Sequence, residues 1–419
     1  MQKFIITGGS RLSGELTLQG SKNSALPIMA AAFLTGGVCT LDNCPRITDV
    51  YSASRILSGL GCKCTFSGGE FRVDASGAGG SEISAALMKE MRSSIMFMGA
   101  MIGRMGRCSV SVPGGCELGP RPIDMHLSAL RKMGAVITDE GGRITCKAPG
   151  GKLTGAKINL PFPSVGATEN IILSAATAEG ETYINNAARE PEICDLCGFL
   201  RRCGADIRGD GESTVVIKGV KRLNGCDYTI MPDRIAGATY LSMTASAGGE
   251  MILKNACTEA MEPFLSVLEQ TGCRIITGND RIYLRCGARL KGIHDRIRTM
   301  PHPGFPTDAQ AVLMAALVTA EGTSVFEENI FDCRYRHTDA LRKMGADIEV
   351  LGKVAVVRGV KSLSGAVVTA TDLRGGAAMA VAGLKAAGET VITDISHIDR
   401  GYENFEGAVE CLGGKIKRV

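Results

Sequence analysis

Apolar positions along this chain switch between two periods, and the switch recurs at intervals. Dense alanine-rich runs such as AVLMAALVTAEG (311–322) end in glycine and give way to short alternating segments such as TSVFEE (323–328). The first pattern predicts a helix, the glycine its stop, and the alternation a strand. The same succession appears at Thr35-Gly36-Gly37 before VCTLDN, Ala178-Glu179-Gly180 before ETYINN, Ala247-Gly248-Gly249 before EMILKN and Ala386-Ala387-Gly388 before ETVITD, with a weaker copy at Arg104-Met105-Gly106. A second phrase, of the type Met-Gly-Ala-x-Ile, carries glycines at 61, 134, 204, 272, 345 and 413, spaced 68 to 73 residues apart. A third, Leu-x-Gly, stands at Leu12, Leu153, Leu223, Leu290 and Leu363 and marks a turn into a further strand.

One unit therefore reads strand, helix, strand, helix, strand, strand, and six units fill the chain. This predicts an α/β protein whose short amphipathic helices lay an apolar stripe on a sheet. A period near 70 is longer than the roughly 20–50 residues of solenoid repeats. The last unit ends one strand short at GKIKRV, while the first strands, KFIITGG and RLSGELTLQG, have no helix before them. Pairing the two ends gives two domains of three units. One spans 22–231; the other is discontinuous, 1–21 with 232–419. Two crossings, near 21 and 232, would then act as a hinge between an open and a closed form.

Composition narrows the function. Lys and Arg outnumber acids 47 to 43, a net charge of +4, and the chain has no tryptophan. Neither a nucleic-acid face nor a base-stacking platform is expected. No leader-like start and no 18-residue apolar span are found, so a soluble cytoplasmic protein without membrane insertion is expected. Sixteen scattered cysteines in a long chain read as reduced thiols. Cys194 and Cys197 have C-x-x-C spacing on a predicted helix, but no second pair or histidine accompanies them, so no metal site is expected. Dinucleotide and P-loop glycine patterns are absent, and no cofactor is expected.

Repeats do not need charged loops, so departures from the pattern point to chemistry. The largest is SVPGGCELGPRPID (111–124), where a lone cysteine, Cys116, sits among glycines and prolines with Arg121 close by. GSKNSALP (20–27) ends a strand and opens a helix with Lys22 and Asn23 at its start, an arrangement suited to an anion. Arg92, Asp233, Arg234, Asp308, Arg334, Asp372, Arg374 and Arg400 stand at comparable positions. Several arginines aimed at one ligand would hold a highly anionic molecule through paired hydrogen bonds.

GSKNSALP, KEMRSSI, PGGCELGPRPIDMHL, SVGATEN, NAAREPEI, MPDRI, FPTDAQ, TDLR and HIDRGYE together resemble the UDP-N-acetylglucosamine 1-carboxyvinyltransferase family, over about residues 3–417. The resemblance implies the enolpyruvyl transferase fold, an inside-out α/β barrel of two domains, each of three βαβαββ repeats. It implies transfer of the enolpyruvyl group of phosphoenolpyruvate to the 3-hydroxyl of UDP-N-acetylglucosamine, with phosphate released and no cofactor or metal. That is the first committed step of peptidoglycan synthesis, and it would make the chain a fosfomycin target involved in cell shape and division. Cys116 is similar to the family's general acid and Asp308 to its proposed base, with Lys22 and Arg400 also catalytic. Lys22, Arg92, Cys116, Arg121, Arg334, Arg374 and Arg400 match phosphoenolpyruvate-binding positions. Asn23, Arg92, Arg121, Pro122, Ile123, Asp124, Met125, Ser164, Val165, Gly166, Asp308 and Ile330 match positions that bind the nucleotide sugar. The chain departs at Thr48, where lysine is common, with Arg46 close by, and around Cys333. The small molecules are the only partners implied, and two enclosed cores are compatible with a monomer. The alternatives are 3-phosphoshikimate 1-carboxyvinyltransferase, whose GNAGT-like loop is replaced here by KEMRSSI, and a catalytically silent regulatory paralogue.

Overall fold

The computed structural model describes residues 2–111, 123–287 and 289–419. They fall into two compact units, one of residues 20–111 and 123–231, the other of residues 2–19 and 232–419.

The first unit holds three sheets. Their strand orders are Asp227–Thr229, Val38–Asp42, Glu70–Asp74, Lys63–Ser67; then Arg107–Ser111, Arg143–Lys147, Val136–Glu140; then Asp206–Arg208, Thr214–Lys218, Glu181–Asn185, Lys157–Asn159. The second unit repeats the plan. Its orders are Arg274–Thr277, Arg281–Cys286, Gly249–Lys254, Leu12–Thr17; Ile297–Arg298, Thr323–Glu327, Val354–Arg358, Asp347–Leu351; and Val367–Thr369, Glu389–Thr393, Phe4–Thr7, Lys415–Arg418. Among the described residues, six open sheets thus correspond to six sequence repeats. Chain ends are used as spare parts. Phe4–Thr7 fills the gap in the last sheet, antiparallel to both neighbours, and Leu12–Thr17 pairs in parallel with Gly249–Lys254.

The repeated phrase has a backbone cause. Gly61, Gly134, Gly204, Gly272, Gly345 and Gly413 all have φ between 82° and 100°, a region that side-chain-bearing residues rarely adopt. Each sits where a helix stops and the chain turns into the next strand.

The helices divide into two kinds, which corrects the expectation of stripes throughout. Thr48–Gly59, Pro191–Arg202 and Thr258–Gln270 are amphipathic, with one apolar side packed inward. The inner helices are not: every residue from Ala309 to Leu317 is buried, as is every residue from Ser24 to Thr35. The reason is their place. Arg234–Ala247, Thr307–Leu317 and Leu373–Lys385 pack on one another in the second unit, as do Lys22–Thr35, Phe97–Met105 and Val165–Ala175 in the first. A helix with helices on some sides and sheets on others has no wet face, so it must be apolar all round. Each unit consequently has its own core. Full burial of side chains such as Phe33 or Phe326 contributes about 2–3 kcal/mol each relative to exposure.

Candidate active site

Polar and charged residues collect where the inner helices begin. In the first unit, Lys22 is the first residue of its helix, and its ammonium lies 2.8 Å from the carboxylate of Asp49, which is 1 % exposed. The turn is anchored behind it: the Ser21 N–H donates to the Met231 carbonyl at 2.7 Å, and Ser24 donates its hydroxyl to Asp195. Asp195 also accepts from the Tyr228 hydroxyl at 2.7 Å and the Met231 N–H at 3.1 Å. Asn23 is half-buried on the same first turn.

A second group in this unit joins three segments distant in sequence. Arg92 opens a short 3-10 helix, Arg92–Met96; Ile123 precedes the helix Asp124–Lys132, with Asp124 and Met125 on its first turn; Ser164 caps the helix Val165–Ala175 by accepting from the Ala167 N–H. Asn170 ties them together. Its amide donates to the Ile95 carbonyl at 3.1 Å and to His126 Nδ1 at 2.7 Å, and its carbonyl oxygen accepts from the Gly99 N–H at 2.7 Å. A side chain at Gly166 would meet the His126 ring at 3.3 Å, so glycine lets the two helix starts approach. Arg92, Ile123 to Met125 and Ser164 to Gly166 are therefore brought to one locality around His126. His126 was missed in the sequence, although it lies in the IDMHL stretch. Burial, with Glu192 and Glu190 nearby, raises the neighbouring Glu169 carboxyl well above its ordinary value.

Burial, followed by the charge of Arg92, lowers the pKa of His126 to about 4. The donor from Asn170 reinforces this, because Nδ1 must stay an acceptor. Burial also lowers His337, in the second unit, to about 4. An unfolded chain takes up these protons near pH 6.5, whereas the folded chain does so only near pH 4. The contribution of these histidines to stability is thus flat above about pH 6.5 and falls as pH drops toward 4, by up to about 3 kcal/mol per histidine, whereas the raised Glu169 carboxyl contributes with the opposite sign. The expected result is that the urea midpoint of His126→Gln drops less between about pH 7.5 and about pH 4.5 than that of the wild-type chain. An unchanged dependence in the variant would show that His126 does not carry it.

In the second unit a carboxylate lies between two arginines. Asp308 is on the first turn of Thr307–Leu317; its Oδ1 accepts from Arg334 Nη2 at 2.8 Å and its Oδ2 from Arg374 Nη2 at 3.4 Å. Asp308 keeps 30 % of its side chain exposed, whereas each arginine keeps 3 %. Arg374 also donates to the Tyr402 hydroxyl at 3.1 Å, which shares a 2.7 Å hydrogen bond with Thr239. Burial opposes the charge on Arg374, but Tyr402, Asp308 and Asp233 outweigh it and its pKa stays raised. Asp372 caps the Arg374 helix through the Arg374 and Gly375 N–H groups, and Asp233 caps Arg234–Ala247 through Ile235 and Ala236. Burial works against the ionised form of Asp372, yet Arg334 and those N–H groups hold its pKa below the ordinary value. Ile330 is positioned by Glu328, whose carboxylate accepts from the Ile330 and Phe331 N–H groups and the Thr307 hydroxyl. His337 Nδ1 stands 3.1 Å from the Arg334 carbonyl oxygen. Arg400 is half-buried at the end of the short helix Ser396–Asp399, two residues before Tyr402. Tyr402, Glu328, Thr239 and His337 were not singled out from sequence; Tyr402 lies inside the HIDRGYE stretch and His337 three residues after Arg334, whereas Glu328 and Thr239 carried no local signal.

Cys116, Arg121 and Pro122 lie outside the described residues. Thr48 begins an outer helix and is exposed, while Arg46 stacks over the Phe66 ring, 5.2 Å from its centre. Cys333 is half-buried next to Arg334. Among the described residues no cluster of three or more His, Cys, Asp or Glu is arranged to hold a metal ion, and no helix is long and apolar enough to cross a membrane.

Each unit thus places cationic side chains at its inner helix starts, Lys22 and Arg92 in the first and Arg334 and Arg374 in the second, groups suited to an anionic substrate. The chain matches the EPSP synthase (3-phosphoshikimate 1-carboxyvinyltransferase) family over residues 6–409. It is 51 % identical over 419 residues, all of both chains, to UDP-N-acetylglucosamine 1-carboxyvinyltransferase 2 of Caldanaerobacter subterraneus subsp. tengcongensis. It is 44 % identical to UDP-N-acetylglucosamine 1-carboxyvinyltransferase of a Psychrobacter species, covering 100 % of this chain and 97 % of the relative. In fold it is similar to the enolpyruvyl transferase NikO from Streptomyces tendae, at a TM-score of 0.90, 24 % identity and coverage of 100 % and 99 %. It is also similar to EPSP synthase from Acinetobacter baumannii, at a TM-score of 0.77, 21 % identity and full coverage of both chains.

Proposed function

The chain belongs to the UDP-N-acetylglucosamine 1-carboxyvinyltransferase family, and from that premise we propose how its residues carry out enolpyruvyl transfer in peptidoglycan synthesis. The substrates are phosphoenolpyruvate and UDP-N-acetylglucosamine, and the products are phosphate and UDP-N-acetyl-3-O-(1-carboxyvinyl)-glucosamine. The full-length identity to relatives of that name supports this acceptor over shikimate 3-phosphate.

The reaction is an addition followed by an elimination. The sugar 3-hydroxyl loses its proton and bonds to C2 of phosphoenolpyruvate, while C3 gains a proton. The resulting phospho-ketal then loses a C3 proton and expels phosphate. In our reading Cys116 delivers the first C3 proton and Asp308 receives the hydroxyl proton. Lys22, Arg92, Arg121, Arg334, Arg374 and Arg400 serve the phosphate and carboxylate charges. Asn23, Ile123 to Met125, Ser164 to Gly166 and Ile330 serve the nucleotide sugar. No cofactor enters this scheme.

The observation that carries the assignment of Asp308 is its position between Arg334 and Arg374. Two guanidiniums make a carboxylate a poor base, because they favour its ionised form. An anionic donor that draws those hydrogen bonds to itself raises the basicity of Asp308. Substrate binding therefore prepares the base, and the buried arginines exchange one anionic partner for another without losing charge compensation.

Phosphate release from phosphoenolpyruvate should require UDP-N-acetylglucosamine and stay at background with shikimate 3-phosphate. Release with shikimate 3-phosphate alone would replace this reading with that of the shikimate-pathway relative. Silence with both would favour a regulatory paralogue.

A further inference from the structure

The first unit gathers three thiols that enolpyruvyl transfer does not use, two of them in sulfur contact. Cys39 lies in the strand Val38–Asp42; Cys203 is the residue that ends the helix Pro191–Arg202; Cys226 immediately precedes the strand Asp227–Thr229. The two strands pair in parallel, and the Thr40 N–H donates to the Cys226 carbonyl at 3.1 Å, which sets Cys226 beside Cys39. The sulfurs of Cys203 and Cys226 are 3.4 Å apart. Cys39 stands near both, and its sulfur lies 3.6 Å from the Thr35 hydroxyl.

Cysteine is a common small core residue in this chain, so proximity alone decides little. Two other thiol pairs provide a comparison. Cys108 and Cys146 face each other across an antiparallel ladder, and Cys273 contacts Cys286, but all four are buried. Cys226 is half-exposed, whereas Cys39 and Cys203 are buried at 0 % and 1 %. Among the described residues, only the three-thiol group thus combines sulfur contact with a cysteine that is not buried.

We propose that Cys203 and Cys226 form a reversible disulfide on exposure to a hydroperoxide, with Cys39 as an exchange partner. The Cys226 thiol takes one oxygen from the peroxide, giving a sulfenic acid and releasing the alcohol, or water from hydrogen peroxide. The Cys203 sulfur then attacks the Cys226 sulfur, the S–S bond forms and water leaves. In sum, two thiols and one peroxide give one disulfide, one alcohol and one water; the thiols are oxidised and the O–O bond is reduced. The sulfurs need to close from 3.4 Å to about 2.05 Å, a movement within reach of side-chain rotation.

The arrangement of the cluster favours closure of the bridge once Cys226 is oxidised. The S–H of Cys203 and the charge of Arg202 favour a thiolate at Cys226, but Cys39 and burial outweigh them and push this thiol up to about 11. Exposure rather than ionisation therefore sets Cys226 as the first to meet peroxide. A partly exposed thiol backed by a resolving thiol 3.4 Å away is the usual constitution of a redox-sensitive site.

Cys411 is exposed and serves as an internal reference. The reduced full-length chain is treated with hydrogen peroxide, quenched by alkylation and mapped by peptide mass. A Cys203–Cys226 cross-link, about 2 Da lighter than the separate thiol peptides, should form about tenfold faster than Cys411 is oxidised and should disappear with dithiothreitol. In Cys203→Ser the bridge should pass to Cys39–Cys226. In Cys226→Ser, Cys39 and Cys203 should stay alkylatable after unfolding, because the sulfur open to peroxide is gone. Three unmodified thiols after Cys411 is fully oxidised would overturn the proposal, and so would sulfinic acid at Cys226 without a cross-link. The wild-type measurement needs no variant, so poor folding of either substitution leaves the test intact.

Discussion

Cys116→Ser is expected to lose turnover by about a hundredfold or more, since a serine hydroxyl is too weak an acid to protonate C3. Cys116→Asp is expected to keep substantial activity, with its optimum moved to lower pH. An ordinary aspartate titrates near pH 4, against about 8.5 for a thiol, so the acid form persists only at lower pH. The epoxide fosfomycin, an electrophilic mimic of phosphoenolpyruvate, should alkylate Cys116 faster with UDP-N-acetylglucosamine present, and should leave Cys116→Asp unmodified. The measurement is a pH–rate profile of each protein with intact-mass analysis after epoxide treatment. A Cys116→Asp protein dead at every pH would mean that the thiol does something other than supply a proton. An adduct on another of the sixteen cysteines would remove Cys116 from the site.

Arg400→Ala should also cost about a hundredfold or more in turnover, the scale of one lost transition-state donor, with little change in melting temperature. Arg400 is half-buried at the end of a four-residue helix, and its charge is proposed to serve phosphate rather than the fold. Arg400→Lys should be nearly as poor, because a point charge does not replace a planar fork. Full activity in the lysine variant would refute the paired hydrogen-bond argument. Arg374→Ala provides the contrast. Arg374 is buried among Asp308, Tyr402 and the inner helix, so its loss should lower stability and turnover together. Comparing the two melting temperatures separates a cation held for substrate from one that is also part of the core.

Local rules carried much of the fold into the sequence. A helix that must stop and turn into a strand needs positive φ, and six glycines in one repeated phrase declare six such places. Alternation of apolar and polar residues gave the strands for the same reason, since one face of each sheet is dry. The character of the inner helices was not legible in this way. Ala309 to Leu317 is apolar on every side because three helices meet there, and which helices meet is a fact of packing.

The candidate site divides along the same line. Charges at helix starts stood out because a repeat does not require them, and the resemblance gave them roles. The partners did not stand out: Asp308 lies 26 residues from Arg334 and 66 from Arg374, and no local signal couples them. Asn170 and His126, 44 apart, meet only because two helices begin side by side next to Gly166. Cys39, Cys203 and Cys226 look like ordinary core cysteines until strand pairing and a helix end bring their sulfurs together. Backbone conformation is set by neighbours in the chain, so the sequence alone determined where helices and strands stop and start. Ion pairs and thiol contacts act over a few ångströms between residues far apart in the chain, so only the tertiary structure decided them.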